Sequence, residues 1–311
     1  MKIRLGYVAI SKALDVTSSS VFTFTNFNKS KDYNKLDLVI KSNLEDLIKI
    51  LNYNIKNNIH FYRLTSKLIP LATHKEVDIE YINKYKDYYS KISKIIKNSN
   101  MRVDVHPDQF CVLNSTKKEV VENSIEILKY HINILKILKI DHPIIVLHVG
   151  SNVFGKENSI KRFINTFKKL PIDIQNAIAL ENDDKVFNAD DVLFICRKLN
   201  IPFVFDYHHN KCNPCKNLDS IMKDILDTWK DINPKMHISS SKNNTKKDFR
   251  SHSDYIDIND FLDFINRVNK HNVDIDVMVE AKAKDDALFR LIRQLKYKKD
   301  YKFIDETTFL I

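Results

Sequence analysis

Ala177-Ile178-Ala179-Leu180-Glu181-Asn182-Asp183 contains four apolar residues that are followed directly by an acid, an amide and a second acid. Such a run is typical of a strand that is buried on both faces and ends in a carboxylate. The same pattern recurs along the chain, where short apolar runs end in His, Asp or Glu and alternate with amphipathic helical segments. The recurrence predicts that these side chains meet in one place.

The alternation predicts eight strand–helix units. The predicted strands are Ile3–Val8, Ile59–Leu64, Met101–Val105, Pro143–Leu147, Ala177–Leu180, Pro202–Phe205, Pro234–Met236 and Ile275–Val279. The predicted helices are Asn43–Lys56, Ile79–Lys97, Lys117–Leu138, Ile160–Lys169, Ala189–Leu199, Leu218–Trp229, Ile258–Asn269 and Asp286–Leu295. Repeated units imply parallel strands, and eight of them predict an α/β fold, a single (β/α)8 TIM barrel over residues 1–311.

An open doubly wound sheet is the structural alternative. With three glycines in the chain, however, no Gly-rich nucleotide-binding turn can be built. The polar segment Thr17–Lys35 is predicted to be the longest early loop.

The chain is basic, with 50 Lys and Arg against 40 Asp and Glu and a formal charge of +10. A compositional bias explains this charge as well as a polyanionic partner does. The four cysteines follow no secretory leader, and no stretch is long enough to cross a bilayer, so we expect a soluble cytoplasmic protein without disulfides. Cys212 and Cys215 are interpreted as a reduced loop pair, and Cys196 as a core residue.

Six predicted strands end in a potential metal ligand, and nearby loops add further imidazoles. The strand-end residues are His106, His148, Glu181, Asp206, His237 and Glu280, and the loop residues are His74, His208, His209 and His252. A lone histidine at a strand end is more often hydrogen-bonded or exposed than a ligand, but the repeated placement favours a shared site. Imidazoles mixed with carboxylates suit zinc, manganese or iron, and the number of ligands predicts two or three ions.

A series of short motifs, in order and over nearly the whole chain, resembles the ultraviolet-damage endonucleases. The motifs are Leu5-Gly6-Tyr7, Leu68-Ile69-Pro70 leading to His74, Val105-His106-Pro107-x-Gln109, Val146-Leu147-His148-Val149-Gly150, Leu180-Glu181-Asn182-Asp183, Asp206 with His208-His209, Pro234-Lys235-x-His237 and Asp276-Val277-Met278-Val279-Glu280-Ala281-Lys282. A more distant likeness is to endonuclease IV, another barrel nuclease with several metal ions.

The resemblance implies a TIM barrel with two or three divalent ions, most often manganese, with zinc, magnesium or cobalt as alternatives. It also implies an enzyme that nicks double-stranded DNA immediately 5′ to cyclobutane pyrimidine dimers or 6-4 photoproducts. The nick leaves 3′-hydroxyl and 5′-phosphate ends, and a monomer without an obligate protein partner suffices. The implied ligands are His74, His106, His148, Glu181, Asp206, His209, His237, His252 and Glu280.

The resemblance assigns roles to four of these motif residues. Glu181, Glu280, Lys235 and His237 form the implied catalytic group, in which Glu181 and Glu280 are the carboxylates expected to bridge ions. His209 is preferred to His208 because it follows Asp206 by three residues. Lys235 matches a position where family members can carry a carboxylated lysine.

Other matching residues imply how the lesion is bound. Gln109 and Phe110 match a Gln-Tyr pair that fills the space vacated by the flipped lesion, although Phe110 lacks the tyrosine hydroxyl and a core position is the alternative. Tyr7 either lines the lesion pocket or packs in the barrel. Candidate phosphate contacts at the barrel mouth are Lys12, Lys29, Lys31, Lys242, Lys246, Lys247 and Arg250.

Three alternative functions remain at this point. The first is a sugar isomerase or epimerase, which needs fewer ions, a small closed pocket and no positive surface. The second is a general abasic-site endonuclease. The third is a DNA-binding barrel without catalytic activity.

Overall fold

The computed structural model describes residues 1–246, 248–298 and 300–311. Its strands are β1 Lys2–Val8, β2 Phe61–Leu64, β3 Arg102–Val105, β4 Ile145–His148, β5 Ile178–Glu181, β6 Phe203–Asp206, β7 Lys235–Ile238, β8 Ile275–Val279, β9 Lys302–Phe303 and β10 Thr308–Leu310. Its helices are α1 Phe24–Ser30, α2 Tyr33–Lys56, α3 Tyr81–Lys84, α4 Lys86–Asn98, α5 Lys118–Ile137, α6 Lys156–Phe167, α7 Ile172–Ala177, α8 Ala189–Leu199, α9 Tyr207–Cys212, α10 Leu218–Asp227, α11 Ile258–Asn269 and α12 Asp285–Lys296.

Strands β1 to β8 are parallel and close into a barrel. Their order is β2-β3-β4-β5-β6-β7-β8-β1, and the pairing of β1 with β2 completes the ring. Closure requires Gly6 in β1, since a Cβ there would lie 2.1 Å from the carbonyl oxygen of Phe61 in β2. The predicted (β/α)8 barrel is therefore confirmed, and the carboxyl ends of its strands share one rim.

The early segment Thr17–Lys35 is not the continuous loop that its composition predicts. It contains α1, and α2 begins at Tyr33 rather than at Asn43. Each helix starts with a polar cap: the Thr23 side chain accepts from the backbone of Asn26, and the Asp32 carboxylate accepts from that of Lys35. The polar residues that suggested a loop thus satisfy the free N–H groups at two helix starts.

A short antiparallel ribbon at the C-terminus was not predicted. Strand β10 pairs with the first residues of β1, with Thr308 opposite Arg4, and β9 pairs with β10. The ribbon is held to the barrel by Phe309, which is fully buried, and by the Thr307 hydroxyl, which donates to the Asn58 carbonyl at 2.6 Å. It lies at the end of β1 away from the rim.

The barrel contains buried ionic groups as well as apolar ones. A separate apolar cluster joins residues at or next to β4, β5 and β6 to a tryptophan that follows α10. Its members are Ile144, Val146, Ala179, Val204 and Trp229. The Asp276 carboxylate, fully buried, accepts from Arg4 at 2.6 and 2.8 Å and from Arg102 at 2.7 Å. Buried carboxylates need such partners, because leaving the charge uncompensated is costly.

Among the helices of the described residues, none has the length and apolar character needed to cross a membrane.

Candidate metal centre

Seven side chains from six consecutive strands and their following loops converge at the carboxyl rim. They form three groups, in each of which the potential ligand atoms lie within 4.8 Å of one another. The groups are His106, His148 and Glu181; Glu181, Asp206 and His209; and Asp206, His237 and Glu280. The overlap of the groups makes one continuous cluster of nitrogen and oxygen donors that could bind metal ions.

Glu181 lies at the centre of this cluster. One of its carboxylate oxygens is 3.1 Å from His106 Nε2 and 3.7 Å from His148 Nε2, and the other is 2.9 Å from His237 Nδ1 and 3.4 Å from His209 Nδ1. Burial alone would raise the pKa of this carboxyl, but the surrounding imidazoles hold its pKa well below the usual value. Glu181 therefore stays ionised and can be shared between two groups of ligands.

Asp206 is the second carboxylate that belongs to two groups. Its Oδ1 caps α9 by accepting from the His209 backbone at 2.7 Å. The side chain of Asn182 accepts from the backbone N–H of Asp206 at 2.8 Å and donates to its carbonyl at 3.0 Å. Its Oδ2 is buried and has no hydrogen-bond partner in the described part of the chain. A buried, unpartnered carboxylate oxygen among imidazoles fits a metal ligand. Among the described residues, Glu181 and Asp206 each belong to two groups and Glu280 to one, and the bridging role expected for Glu280 stays a prediction.

The two adjacent histidines after Asp206, His208 and His209, make different contacts. His209 Nδ1 donates to the Asn182 carbonyl at 2.9 Å and lies 3.4 Å from Glu181 and 3.9 Å from Asp206. Although burial lowers the pKa of His209, the carboxylates of Asp206 and Glu181 raise it well above the usual value. His208 Nε2 instead lies 3.7 Å from Cys212 Sγ, and His208 is in none of the three groups of described residues. This placement favours His209.

Arg63 enters the cluster from β2, although it is not among the residues that the sequence predicts for the site. Its guanidinium lies 2.5 Å from Glu280 Oε1, 2.5 Å from His237 Nε2 and 3.2 Å from Asp104 Oδ1. With its side chain 6% exposed, Arg63 offsets the charge of both carboxylates. The available signal was a charged residue inside each of two short apolar strands, Arg63 in β2 and Asp104 in β3, since such charges need buried partners.

Lys235 is fully buried and lies two residues before His237, on the same face of β7. Its ammonium nitrogen lies 2.6 Å from Asp104 Oδ2, although the two groups lack the alignment of a hydrogen bond. Burial lowers the pKa of Lys235 to about 7, against the opposing effect of Asp104. The charge of an unmodified lysine is thus balanced by Asp104, and a carboxylated lysine would bring two like charges together here.

The two remaining predicted ligands lie outside the three groups of described residues. The His252 ring centroid is 6.1 Å from that of His209, so this residue borders the cluster. The His74 ring stacks on Phe24 with centroids 3.8 Å apart.

The predicted lesion-binding residues differ in exposure. Gln109 is exposed and Phe110 is 70% exposed in the loop after β3, which excludes the core alternative for Phe110. Tyr7 is fully buried: its hydroxyl donates to Asn54 of α2 at 2.8 Å, and its ring packs on Tyr62. This position matches the packing alternative for Tyr7.

Most of the predicted phosphate contacts are exposed. Lys242 and Arg250 each make a long ion pair of 3.7 Å, with Asp248 and Asp184 respectively. Lys12, Lys29, Lys31 and Lys246 are exposed as well, and Lys247 lies outside the described residues.

The four cysteines are free in this structure. Cys196 is buried, as predicted. Cys212 is the last residue of α9, so the Cys212–Cys215 pair spans a helix end and the turn that follows it rather than a loop alone.

Comparison with known proteins identifies the family. The pattern of the UV-endonuclease UvdE family matches residues 3–308. A UV DNA damage endonuclease of Bacillus cereus (strain B4264) is 43% identical over 303 residues, covering 95% of each chain. The crystal structure of SacUVDE superposes with a TM-score of 0.86 at 34% identity, covering 95% of this chain and 98% of that one. Endonuclease IV from Thermus thermophilus shares the fold, with a TM-score of 0.59 at 11% identity over 95% of this chain and all of its own. The chain belongs to the UV-endonuclease UvdE family.

Proposed function

We propose that this protein is a DNA repair endonuclease that cuts the phosphodiester backbone immediately 5′ to cyclobutane pyrimidine dimers and 6-4 photoproducts. The products would carry 3′-hydroxyl and 5′-phosphate ends. The observation that carries this proposal is the overlap of three ligand groups at one barrel rim, in a chain of the UV-endonuclease family. Several adjacent cation sites are the arrangement used for displacement at phosphorus.

The residues of the cluster fit divalent cations, most of all manganese, with zinc, magnesium or cobalt as alternatives. Their donors are imidazole nitrogens and carboxylate oxygens without thiolates, and the unpartnered Asp206 Oδ2 faces this set. The proposed ligands are His106, His148, Glu181, Asp206, His209, His237 and Glu280, joined by His252 and His74 if their side chains turn toward the cluster. When bound, such ions would activate water and stabilise negative charge at the scissile phosphate.

The chain's own residues orient these donors. Asn182 fixes both the backbone of Asp206 and the ring of His209, so it holds in place two proposed ligands, one at the end of β6 and one in α9. Arg63 holds Glu280 and His237 from β2, which only β1 separates from β8. The bond from His209 to the Asn182 carbonyl fixes the tautomer of that ring, and the ion pair with Arg63 fixes the direction of the Glu280 carboxylate.

Lys235 and Asp104 form the layer next to the cluster. We propose that Lys235 acts as an ammonium that holds Asp104 and, through it, Arg63. A carboxylated Lys235 is the competing state, and carbon-13 NMR of protein equilibrated with labelled bicarbonate distinguishes the two by a carbamate resonance.

Binding of damaged DNA would use exposed residues of the same rim. The ring of Phe110 can stack in the space that the flipped nucleotides leave, because stacking needs only the aromatic face. A photoproduct weakens local pairing and stacking, so bending and flipping cost less there than in intact duplex. Lys242 and Arg250 would hold phosphates without reading sequence. We propose that the protein acts on DNA as a monomer and is located in the cytoplasm, at the nucleoid.

Incision of defined duplexes tests the proposal. An end-labelled duplex with one cyclobutane dimer, one 6-4 photoproduct or one abasic site is incubated with chelator-treated protein, and metals are added back one at a time. We expect a single cut 5′ to each photoproduct, with a 3′ end that a DNA polymerase extends. Cutting of the abasic duplex alone would favour a general abasic-site endonuclease, and no cutting with any metal would refute the proposal.

A further inference from the structure

The loop between β4 and α6 presents an unusually exposed aromatic residue. Phe154 is 76% exposed, and Val153 beside it is 44% exposed. Phe154 also has a left-handed backbone, with φ of 63°, in which non-glycine residues are uncommon. A large apolar side chain held outward in a strained conformation points to a binding role rather than to folding.

This loop is fixed rather than free. The backbone carbonyl of Val153 accepts from Arg162 at 2.5 Å, and that of Phe154 accepts from the Asn158 amide at 2.9 Å. The Ser159 hydroxyl donates to the same Val153 carbonyl at 3.2 Å. Residues in the first two turns of α6 therefore hold Val153 and Phe154 in one position.

The same contacts join this loop to the loop that carries Phe110. Asn114, four residues after Phe110 and fully buried, exchanges hydrogen bonds of 2.7 and 2.8 Å with the backbone of Ser151. Arg162 donates to the Asn114 carbonyl at 2.9 Å, so one guanidinium contacts both loops. Phe110 and Phe154 thus project from two neighbouring loops that are tied together.

Both loops follow strands that end in the metal cluster. Strand β3 leads into His106 and then Phe110, while β4 ends in His148 and leads to Phe154. Parallel neighbours place both loops on the rim. Among the described phenylalanines, these two are the most exposed, and each lies in a loop that begins at a candidate ligand.

We propose that Val153 and Phe154 form a second apolar contact with duplex DNA, alongside Phe110. The inference rests on the proposed function and adds a residue to its binding surface. While Phe110 occupies the vacated stack, the Phe154 ring packs against sugars and base edges beside the lesion. Continuity with the cluster and the chain's charge of +10 favour DNA as the occupant over a second copy of the protein.

The variant Phe154→Ala tests this contact against Phe194→Ala. Phe194 is a matched control because it is 53% exposed on α8, on the outer helical layer of the barrel. We expect Phe154→Ala to weaken binding to a dimer-containing duplex by about 10-fold, the scale of losing one stacked aromatic. Because no charge is removed, the slope of log affinity against log salt should stay unchanged. Phe154→Trp should restore binding, and Phe194→Ala should bind as the wild type does.

Steady-state incision gives a second readout, since Phe154→Ala should raise KM and leave kcat nearly unchanged. If the wild type neither binds nor cuts damaged duplex, the proposed function fails before this inference is reached. If the wild type cuts and Phe154→Ala matches it in affinity and KM, the inference alone is overturned. It is also overturned if the wild type dimerises in sedimentation and Phe154→Ala does not, because the loop would then bind a second copy.

Discussion

Arg63 Nη1, on β2, lies 2.5 Å from Oε1 of Glu280, the residue that directly follows β8. The same guanidinium contacts His237 Nε2 and Asp104, so one cation from β2 orders residues of β3, β7 and β8. An arginine can do this because its planar fork offers several donors in fixed directions. Arg63 is therefore a positioning residue for Glu280 and His237.

We predict that Arg63→Met lowers the incision rate by about 10- to 100-fold, the range found when partners of metal ligands are removed. Arg63→Lys should restore only part of the activity, because one ammonium cannot contact Glu280, His237 and Asp104 together. Manganese affinity, measured by calorimetry, should fall in parallel. Unchanged incision and manganese affinity in Arg63→Met would contradict the positioning role.

We predict that Glu181→Gln reduces incision by at least about 100-fold while the barrel stays folded. The amide keeps the size of the side chain but loses the charge that four imidazoles surround. Glu122→Gln is the control, since Glu122 is half exposed and, among the described residues, its ion pair is with Lys118 on α5. Incision rates and thermal melting curves of both variants check the prediction. A Glu181→Gln protein with wild-type activity would remove Glu181 from the centre.

The Asp276 ion pairs predict a pH dependence of stability. Burial would raise the pKa of Asp276, but Arg4 and Arg102 hold it below the usual value. The stabilisation is therefore fully present above about pH 4, the pKa of an unfolded aspartate, and is lost as pH falls through the lower folded pKa. Asp276→Asn should lower the free energy of unfolding by about 3 kcal/mol at neutral pH, because it leaves two arginines without their partner.

Urea unfolding of wild type and Asp276→Asn at several pH values measures this effect. The difference between the two proteins should be constant above about pH 5 and should shrink below about pH 4. Asp227→Asn, which breaks only an exposed pair with Lys223, should cost about 0.5 kcal/mol or less. A difference that does not change with pH would refute the assignment.

The exposed cations predict how DNA binding depends on salt. Lys242→Ala should weaken binding to damaged and undamaged duplex alike and reduce the slope of log affinity against log salt by about 1. Lys198→Ala is the control, because Lys198 is exposed on α8 beside Phe194. Fluorescence anisotropy at several salt concentrations provides the measurement. An unaltered slope in Lys242→Ala would show that Lys242 makes no phosphate contact.

Local pattern was enough to predict the barrel and most of the cluster. Strands such as β5 are short apolar runs that end in a charged residue, so both the strand and the position of Glu181 follow from the sequence alone. Parallel closure then places Asp206 and Glu280 at the same rim. These predictions need no knowledge of which side chains touch.

The rest depends on contacts between distant segments. Arg63 lies within the short strand β2, and only closure of the barrel brings the carboxylates of Asp104 and Glu280 into contact with its guanidinium. Strands β9 and β10 have two and three residues, too short for a periodic signal, and they form because β1 offers an open edge. The exposure of Phe154 likewise depends on how its loop is tied to α6.

The most direct test of the metal-centred account is incision of a duplex with one cyclobutane dimer by chelator-treated protein, with and without added manganese. The account predicts no cutting without metal, recovery of a single cut 5′ to the dimer with manganese, and no recovery in Glu181→Gln. Full cutting by the metal-free protein, or full recovery in Glu181→Gln, would contradict it.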